Sequence, residues 1–233
     1  MIRLSRVLVI GDLHSHFIEK GYLAHCKLVK EQYKCDKVVF VGDIIECHSI
    51  SRHEKSPKSE GSKIENEKTR EALKEWFKTF PNAYVCIGNH DERPTREGAS
   101  VGISEEYFKS LSELTGSPKG WKWGYEFQID DVIYKHGHGG TGGRTPHLAQ
   151  AERRRRSLVI GHFHSVAGIE YSATDDDVIF GMCVGCGIDS SLYPFDYAKN
   201  GLSRPIVACG IVVDGWLPII IKRNMGSKVR RVK

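Results

Sequence analysis

The chain of 233 residues contains no apolar run near the roughly 18–20 residues of a membrane-spanning helix. It has no internal repeat, no low-complexity tract and no collagen-like period, which excludes fibrous and mucin-like classes. The short apolar stretch Arg6–Ile10 is not followed by a small-residue cleavage site, so it reads as a first strand and not as a signal peptide. A second CxxC is missing. Cys183-Val-Gly-Cys186 therefore reads as two small buried residues at a strand end rather than half of a structural zinc site. The seven cysteines are odd in number and scattered, which argues against a disulfide framework and for reduced thiols in a cytoplasmic compartment.

The composition is that of a globular protein, 40% hydrophobic and 27% charged, with enough apolar material for a sizeable core. The net charge is +5, yet Lys222, Arg223, Lys228, Arg230, Arg231 and Lys233 alone supply six positive charges, with no acid among the last twelve residues. Subtracting those six from +5 leaves about −1 for the rest, so the basicity belongs to the tail and does not imply a basic groove. The expected organisation is one domain over residues 1–225 and a basic flexible tail over 226–233.

The first ninety residues alternate apolar runs with helical patterns. Arg6–Ile10, Lys37–Val41 and Ala83–Ile87 read as strands covered on both faces. Tyr22–Tyr33 and Glu65–Phe80 read as helices, the latter with Leu73, Trp76, Phe77 and Phe80 on one face. That alternation predicts parallel βαβ units. Further on, a short helix is expected over Ser104–Leu114 with Ser104 as N-cap, a hairpin over Tyr125–Lys135 turning at Asp130-Asp131, and a helix over Leu148–Arg155. Ser157–Ile160, Ile169–Ser172, Val178–Met182, Ile206–Val213 and Leu217–Lys222 read as strands, and His48–Gly61 as a long polar loop.

Five strand ends each run into a glycine-marked turn carrying oxygen or imidazole groups. These are Gly11-Asp12-Leu13-His14, Gly42-Asp43, Gly88-Asn89-His90-Asp91, His136-Gly137-His138 and Gly161-His162-Phe163-His164. Ligand sites of parallel α/β sheets lie outside the carboxyl ends of the strands, so these groups are expected to converge. Carboxylate, amide oxygen and imidazole suit divalent transition metals, and a carboxylate such as Asp43 can bridge two of them. Two metals about 3.5–4 Å apart can hold a hydroxide and clamp the oxygens of an in-line phosphoryl displacement.

D-x-H, GD, GNHD, a histidine and GHxH, in that order from Asp12 to His164, resemble the calcineurin-like metallophosphoesterase superfamily. The later stretch IFGMCVGCGID and the SRHEK loop look like phage- or prophage-encoded members. The resemblance implies an α/β fold, a four-layer α/β/β/α sandwich with two mixed sheets. It implies two divalent ions, manganese foremost and iron, cobalt, nickel or zinc as alternatives. One would be held by Asp12, His14 and His164, the other by Asn89, His136 and His162, with Asp43 shared. His90 would protonate the leaving oxygen or stabilise developing charge, with Asp91 orienting its imidazole. The activity implied is phosphoester hydrolysis by a metal-bridging hydroxide, foremost of a phosphodiester in nucleic acid or a nucleotide. A phosphomonoesterase acting on phosphoprotein or a small molecule is the alternative within the enzyme class. A non-catalytic metal-bound scaffold is the alternative outside it, disfavoured by the intact donor set and His90.

Glu46 stands where many members carry an aspartate, and its role is open. His136 directly follows a strand and is preferred as ligand, leaving His138 to line the pocket. His48, Arg52 and His53 lie on the long loop after Asp43, either gripping substrate or solvated. Gly137–Gly143 either presents backbone N–H groups to a phosphate or is a flexible loop. Arg153–Arg156 either tracks a nucleic-acid backbone or is a solvated helix end. Trp121, Trp123, Tyr193, Phe195 and Tyr197 either stack bases or pack in core and rim.

Overall fold

In the computed structural model, which describes residues 5–52, 58–140, 142–192 and 204–223, eleven strands and five α-helices follow one another along the chain. They are β1 (Arg6–Ile10), α1 (Tyr22–Gln32), β2 (Lys37–Phe40), α2 (Ser62–Thr79), β3 (Ala83–Cys86), α3 (Arg93–Ala99), α4 (Leu111–Thr115) and β4 (Trp121–Gly124). There follow β5 (Glu126–Ile129), β6 (Val132–Lys135), α5 (Pro146–Arg154), β7 (Leu158–Ile160), β8 (Ala167–Ala173), β9 (Val178–Val184), β10 (Ala208–Val213) and β11 (Leu217–Lys222). One sheet has the order β11-β10-β1-β2-β3-β4 and the other β5-β6-β7-β9-β8. Both are mixed: β1 to β4 run parallel, as do β6, β7 and β9, while β10, β11, β5 and β8 pair antiparallel.

Successive side chains of a strand point to opposite faces, and β1 shows the consequence. Leu8 and Ile10 join Tyr22, Cys26 and Val29 of α1 and Leu73 and Trp76 of α2 in one buried cluster. Val7 and Val9 join Val132 and Tyr134 of β6, Val159 of β7 and Phe180 and Met182 of β9 in a second cluster between the sheets. A third cluster packs Ile133, Leu158, Ile160 and Ile179 beneath Ala151 of α5. The result is the four-layer α/β/β/α sandwich that the resemblance implies.

Two helices differ from expectation. The segment expected as one helix over Ser104–Leu114 is a 3-10 turn at Glu105–Tyr107 followed by α4. Ser110, not Ser104, caps it: the Ser110 hydroxyl accepts from the Glu113 amide while the Glu113 carboxylate accepts from the Ser110 amide. Helix α3 is additional, and its sequence RPTREGA has no apolar face to announce it. Trp121 and Trp123 form β4, where Trp121 packs on Phe40 and Phe77 in the core. Tyr193, Phe195, Tyr197 and the basic tail lie outside the described residues. Cys183 and Cys186 are buried, and all seven cysteines are free. Among the described residues no helix is long and apolar enough to cross a membrane.

Candidate metal centre

Because β1, β2 and β3 are parallel neighbours in one sheet and β6 and β7 in the other, their carboxyl ends meet at one edge of the sandwich. Besides a cluster of His14, Glu46 and His90, the turns there bring donor atoms together in two groups: Asp12, His14, Asp43 and His164, and Asp43, His136 and His162. Asp43 belongs to both. His14 Nε2 lies 3.1 Å from His164 Nε2 and 3.5 Å from Asp43 Oδ2. His164 Nε2 lies 2.9 Å from Asp12 Oδ2. In the second group His136 Nε2 is 3.1 Å from Asp43 Oδ2, 3.2 Å from His162 Nδ1 and 3.0 Å from Asn89 Oδ1.

The local backbone is bent to achieve this. His14, Asp43 and His162 have φ of 45°, 49° and 66°, a left-handed conformation that non-glycine residues adopt at a cost. Backbone bonds hold them there. The amides of Leu13 and His14 donate to the Asp43 carbonyl, the His90 amide to Asp43 Oδ1, and the His162 amide to the Asp12 carboxylate. The adjoining glycines leave the space these carboxylates occupy. A Cβ on Gly88 would stand 2.2 Å from Asp43 Oδ1, and one on Gly161 2.2 Å from Asp12 Oδ1.

Three features fit this set to divalent cations. First, donors about 2.0–2.2 Å from a common ion are themselves about 3.0–3.5 Å apart, the separations found here. Second, the far nitrogens of two imidazoles are engaged in ways that leave the near ones as lone-pair donors. His136 Nδ1 donates to the Val41 carbonyl at 2.7 Å, and His14 Nδ1 meets the Glu46 carboxylate. Third, the cavity calls for positive charge. Burial alone would lower the pKa of His136, but the Asp43 and Asp12 carboxylates outweigh burial and hold it up at about 10. Partial desolvation, and then the charge of His136 beside it, push the half-buried His162 down to about 4, so it stays neutral.

Glu46 is the hub behind this edge. Buried, it contacts His14 Nδ1, stands 3.0 Å from His90 Nδ1, and lies 3.6 Å from Arg93 Nη1. Burial opposes its ionisation, but His14 and His90 keep its carboxyl below the usual carboxylate range. Burial also opposes the charged form of His90, and Asp43 and Glu46 raise its pKa nonetheless. This corrects the role expected of Asp91. Its Oδ1 accepts from the amides of Ile44 and Ile45 and its Oδ2 from that of Gly88. With both oxygens committed to backbone, Asp91 ties the β2 turn to the β3 turn, and Glu46 meets the His90 imidazole.

Of the residues expected to bind substrate, Arg52 is exposed and paired with Glu97. His138 is partly exposed on the rim, its Nε2 3.4 Å from Glu92, its ring 5.3 Å from that of His136. His48 departs from expectation: it is buried, in a 3-10 turn whose first amides donate to the Glu65 carboxylate, and does not stand on the open face. His53 lies outside the described residues. Arg93, which stands three residues after His90, was not legible as a site residue. It is buried, donating from Nη2 to His90 Nε2 at 3.1 Å and from Nη1 to the Glu46 and Cys47 carbonyls.

Two stacked mixed sheets between helices, with histidines, carboxylates and an asparagine gathered at one shared strand edge, define a metallophosphoesterase architecture. The family model for calcineurin-like phosphoesterases matches residues 5–183, and the chain belongs to that family, which binds divalent metals and acts on phosphoesters. No curated protein matches the chain in sequence. Among solved structures, a metallophosphoesterase from Sphaerobacter thermophilus superposes with a TM-score of 0.50 at 15% identity, covering 95% of this chain and 89% of that one. Vacuolar Protein Sorting 29 from Cryptosporidium parvum gives 0.44 at 15% identity, covering 94% and 97%. Yfce, a phosphoesterase from E. coli, gives 0.41 at 15% identity, covering 88% and 87%. At these identities the likeness is one of fold.

Proposed function

We propose that this chain is a dinuclear metal-dependent phosphodiesterase acting on nucleic acid or a nucleotide. The observation that carries the reading is the meeting of donors from five strand ends around the shared carboxylate of Asp43. In it, Asp12, His14 and His164 would hold one divalent ion and Asn89, His136 and His162 the other, with Asp43 shared. Manganese is the preferred ion, as a mixed nitrogen and oxygen donor set accepts it readily. When bound, such a pair acidifies a shared water and draws charge from the phosphoryl oxygens.

The chain's own residues do the rest. Glu46 fixes the His90 ring through Nδ1, and Nε2 accepts from Arg93. Asp43 and Glu46 favour the protonated ring against burial, and that imidazolium, with the leaving oxygen in place of Arg93 at Nε2, can give the oxygen a proton. Arg93 places a fixed positive charge next to that oxygen. Asp12 and Asp43 are held by backbone amides and do not reorganise as charge develops. The free cysteines suit a reducing compartment, the cytoplasm.

The test offers bis-p-nitrophenyl phosphate and p-nitrophenyl phosphate to the protein with Mn²⁺. Faster diester turnover supports the reading, monoester preference replaces it with a phosphomonoesterase, and no turnover with any metal leaves a scaffold. His90→Ala is expected to lower kcat by about 10²–10⁴-fold with metal content unchanged. Equal loss of metal and turnover would remove the role given to His90.

A further inference from the structure

Beyond His90 lies an open cavity of about 590 Å³, lined by Ser51, Arg52, Arg93, Arg96, Glu97 and Ser100. It shares a wall with the metal centre. Arg93 touches His90 Nε2, and Arg96, one helical turn further along α3, donates from Nη1 to the backbone carbonyl of Asn89 at 3.2 Å. Arg52 faces them from the loop after β2 and pairs with Glu97, whose other oxygen is 3.6 Å from Arg96 Nε. Among the described residues, three guanidinium groups thus line the cavity against one carboxylate. This local excess cannot be put down to general basicity, because the chain without its last twelve residues carries about −1, the net +5 less six.

Position decides what that charge is for. In the reading above, His90 protonates the leaving oxygen, so whatever occupies the cavity beyond it is the departing part of the substrate. A neutral alcohol needs no arginines there. A guanidinium fork matches a phosphate, which it binds with two charge-assisted hydrogen bonds. The volume lies in the range of small-molecule sites. We infer that the cavity between α3 and the Ser51–Arg52 loop seats a second phosphate, borne by the leaving portion of the substrate. The substrate class is then an oligonucleotide, cleaved one nucleotide away from a phosphate that Arg52 and Arg96 grip. The inference rests on the phosphodiesterase reading of the adjoining centre, and it assigns to α3 the choice of substrate while the centre supplies the chemistry.

The experiment compares kcat/KM, with Mn²⁺, for the dinucleotide TpT and for its 5′-phosphorylated and 3′-phosphorylated forms. One of the two phosphorylated forms is expected to exceed TpT by about ten-fold or more, the worth of one charge-assisted pair. Arg96 also holds α3 to the Asn89 carbonyl, so the ratio is read within the variant, where Arg96→Ala is expected to bring it to about one while TpT itself is still cleaved. A ratio near one in the unaltered protein overturns the inference, as does a ratio that survives both Arg96→Ala and Arg52→Ala. If neither TpT nor bis-p-nitrophenyl phosphate is cleaved, it is the phosphodiesterase reading that fails, and binding then decides for the cavity. Calorimetry is expected to show thymidine 3′,5′-bisphosphate binding about ten-fold more tightly than thymidine 5′-phosphate, with the difference lost in Arg96→Ala. Equal binding of the two nucleotides overturns the proposed subsite.

Discussion

The second sheet carries dense charge at both of its ends. At the carboxyl ends of β6 and β7, His136 meets Asp12, His14 and Asp43 from the first sheet, and all four are no more than 1% exposed. At the opposite ends of the sheet's parallel strands, Arg155 pairs with Asp177 and Arg156 with Asp131, and Arg154 beside them reaches Glu126 of the edge strand β5. There the side chains are 34–87% exposed. One end takes charge out of water and holds it on left-handed backbone, and nothing but a compensating charge makes that arrangement stable. The other end leaves charge in water, where each pair contributes little. Charge density alone therefore does not mark a site. Burial together with convergence does.

Asp43→Asn breaks the first end most severely, since it removes the carboxylate common to both donor groups while keeping its shape. Manganese retained after gel filtration is expected to fall from about two ions per chain to one or none. Turnover is expected to drop by more than about a hundred-fold, because even the partners that merely support metal ligands are worth about 10–100-fold. Added Mn²⁺ should raise the Tm of the unaltered protein by mass action and that of the variant far less. A variant that keeps both ions would remove Asp43 from the bridging position.

The buried end was readable because its residues follow apolar runs: Gly42-Asp43 after Lys37–Val41, Gly161-His162 after Ser157–Ile160. Their order along the chain is enough to suggest a common edge, since parallel strands deliver their carboxyl ends to one side. Glu46 and Asp91 were less legible for a physical reason. Each is an acid a few residues from a donor, and the turn conformation alone decides which points at the His90 ring and which at backbone amides. Helix α3 was hidden because it is held by polar contacts, Arg93 on the Glu46 and Cys47 carbonyls and Arg96 on that of Asn89, and polar contacts leave no period in the sequence. The same blindness applies to the cavity it lines.

Asp91→Asn sharpens the comparison within the buried end. The variant keeps one acceptor oxygen but turns an amide nitrogen toward a backbone N–H that Asp91 accepts. An unsatisfied buried donor of that kind costs about 1–3 kcal/mol. For a chain of this length, each kcal/mol lowers Tm by about 2–4 °C. Thermal unfolding of the manganese-loaded variant is expected to show that loss, with turnover per bound metal pair changing less than in His90→Ala. Unchanged Tm with collapsed turnover would return Asp91 to the orienting role it was first expected to have.

Arg154→Ala probes the exposed end and is expected to do least. The guanidinium makes two bonds of 3.1 Å to Glu126, yet both side chains are 45% exposed, and such pairs are worth about 0.2–1 kcal/mol. The four-arginine run also invites a nucleic-acid reading, and salt dependence separates the two. Each phosphate that a protein neutralises on a single strand contributes about −0.7 to the slope of log affinity against log salt. Measured on a labelled single-stranded oligonucleotide between low and physiological salt, the slope for Arg154→Ala should equal that of the unaltered protein. A slope shallower by about that amount would place Arg154 on a phosphate and erase the distinction drawn between the two ends. Place, and not pairing, argues for no change: Arg52 and Arg96 are also paired, with Glu97, but they line the cavity that adjoins His90, and Arg154, bonded to Glu126 of β5, does not.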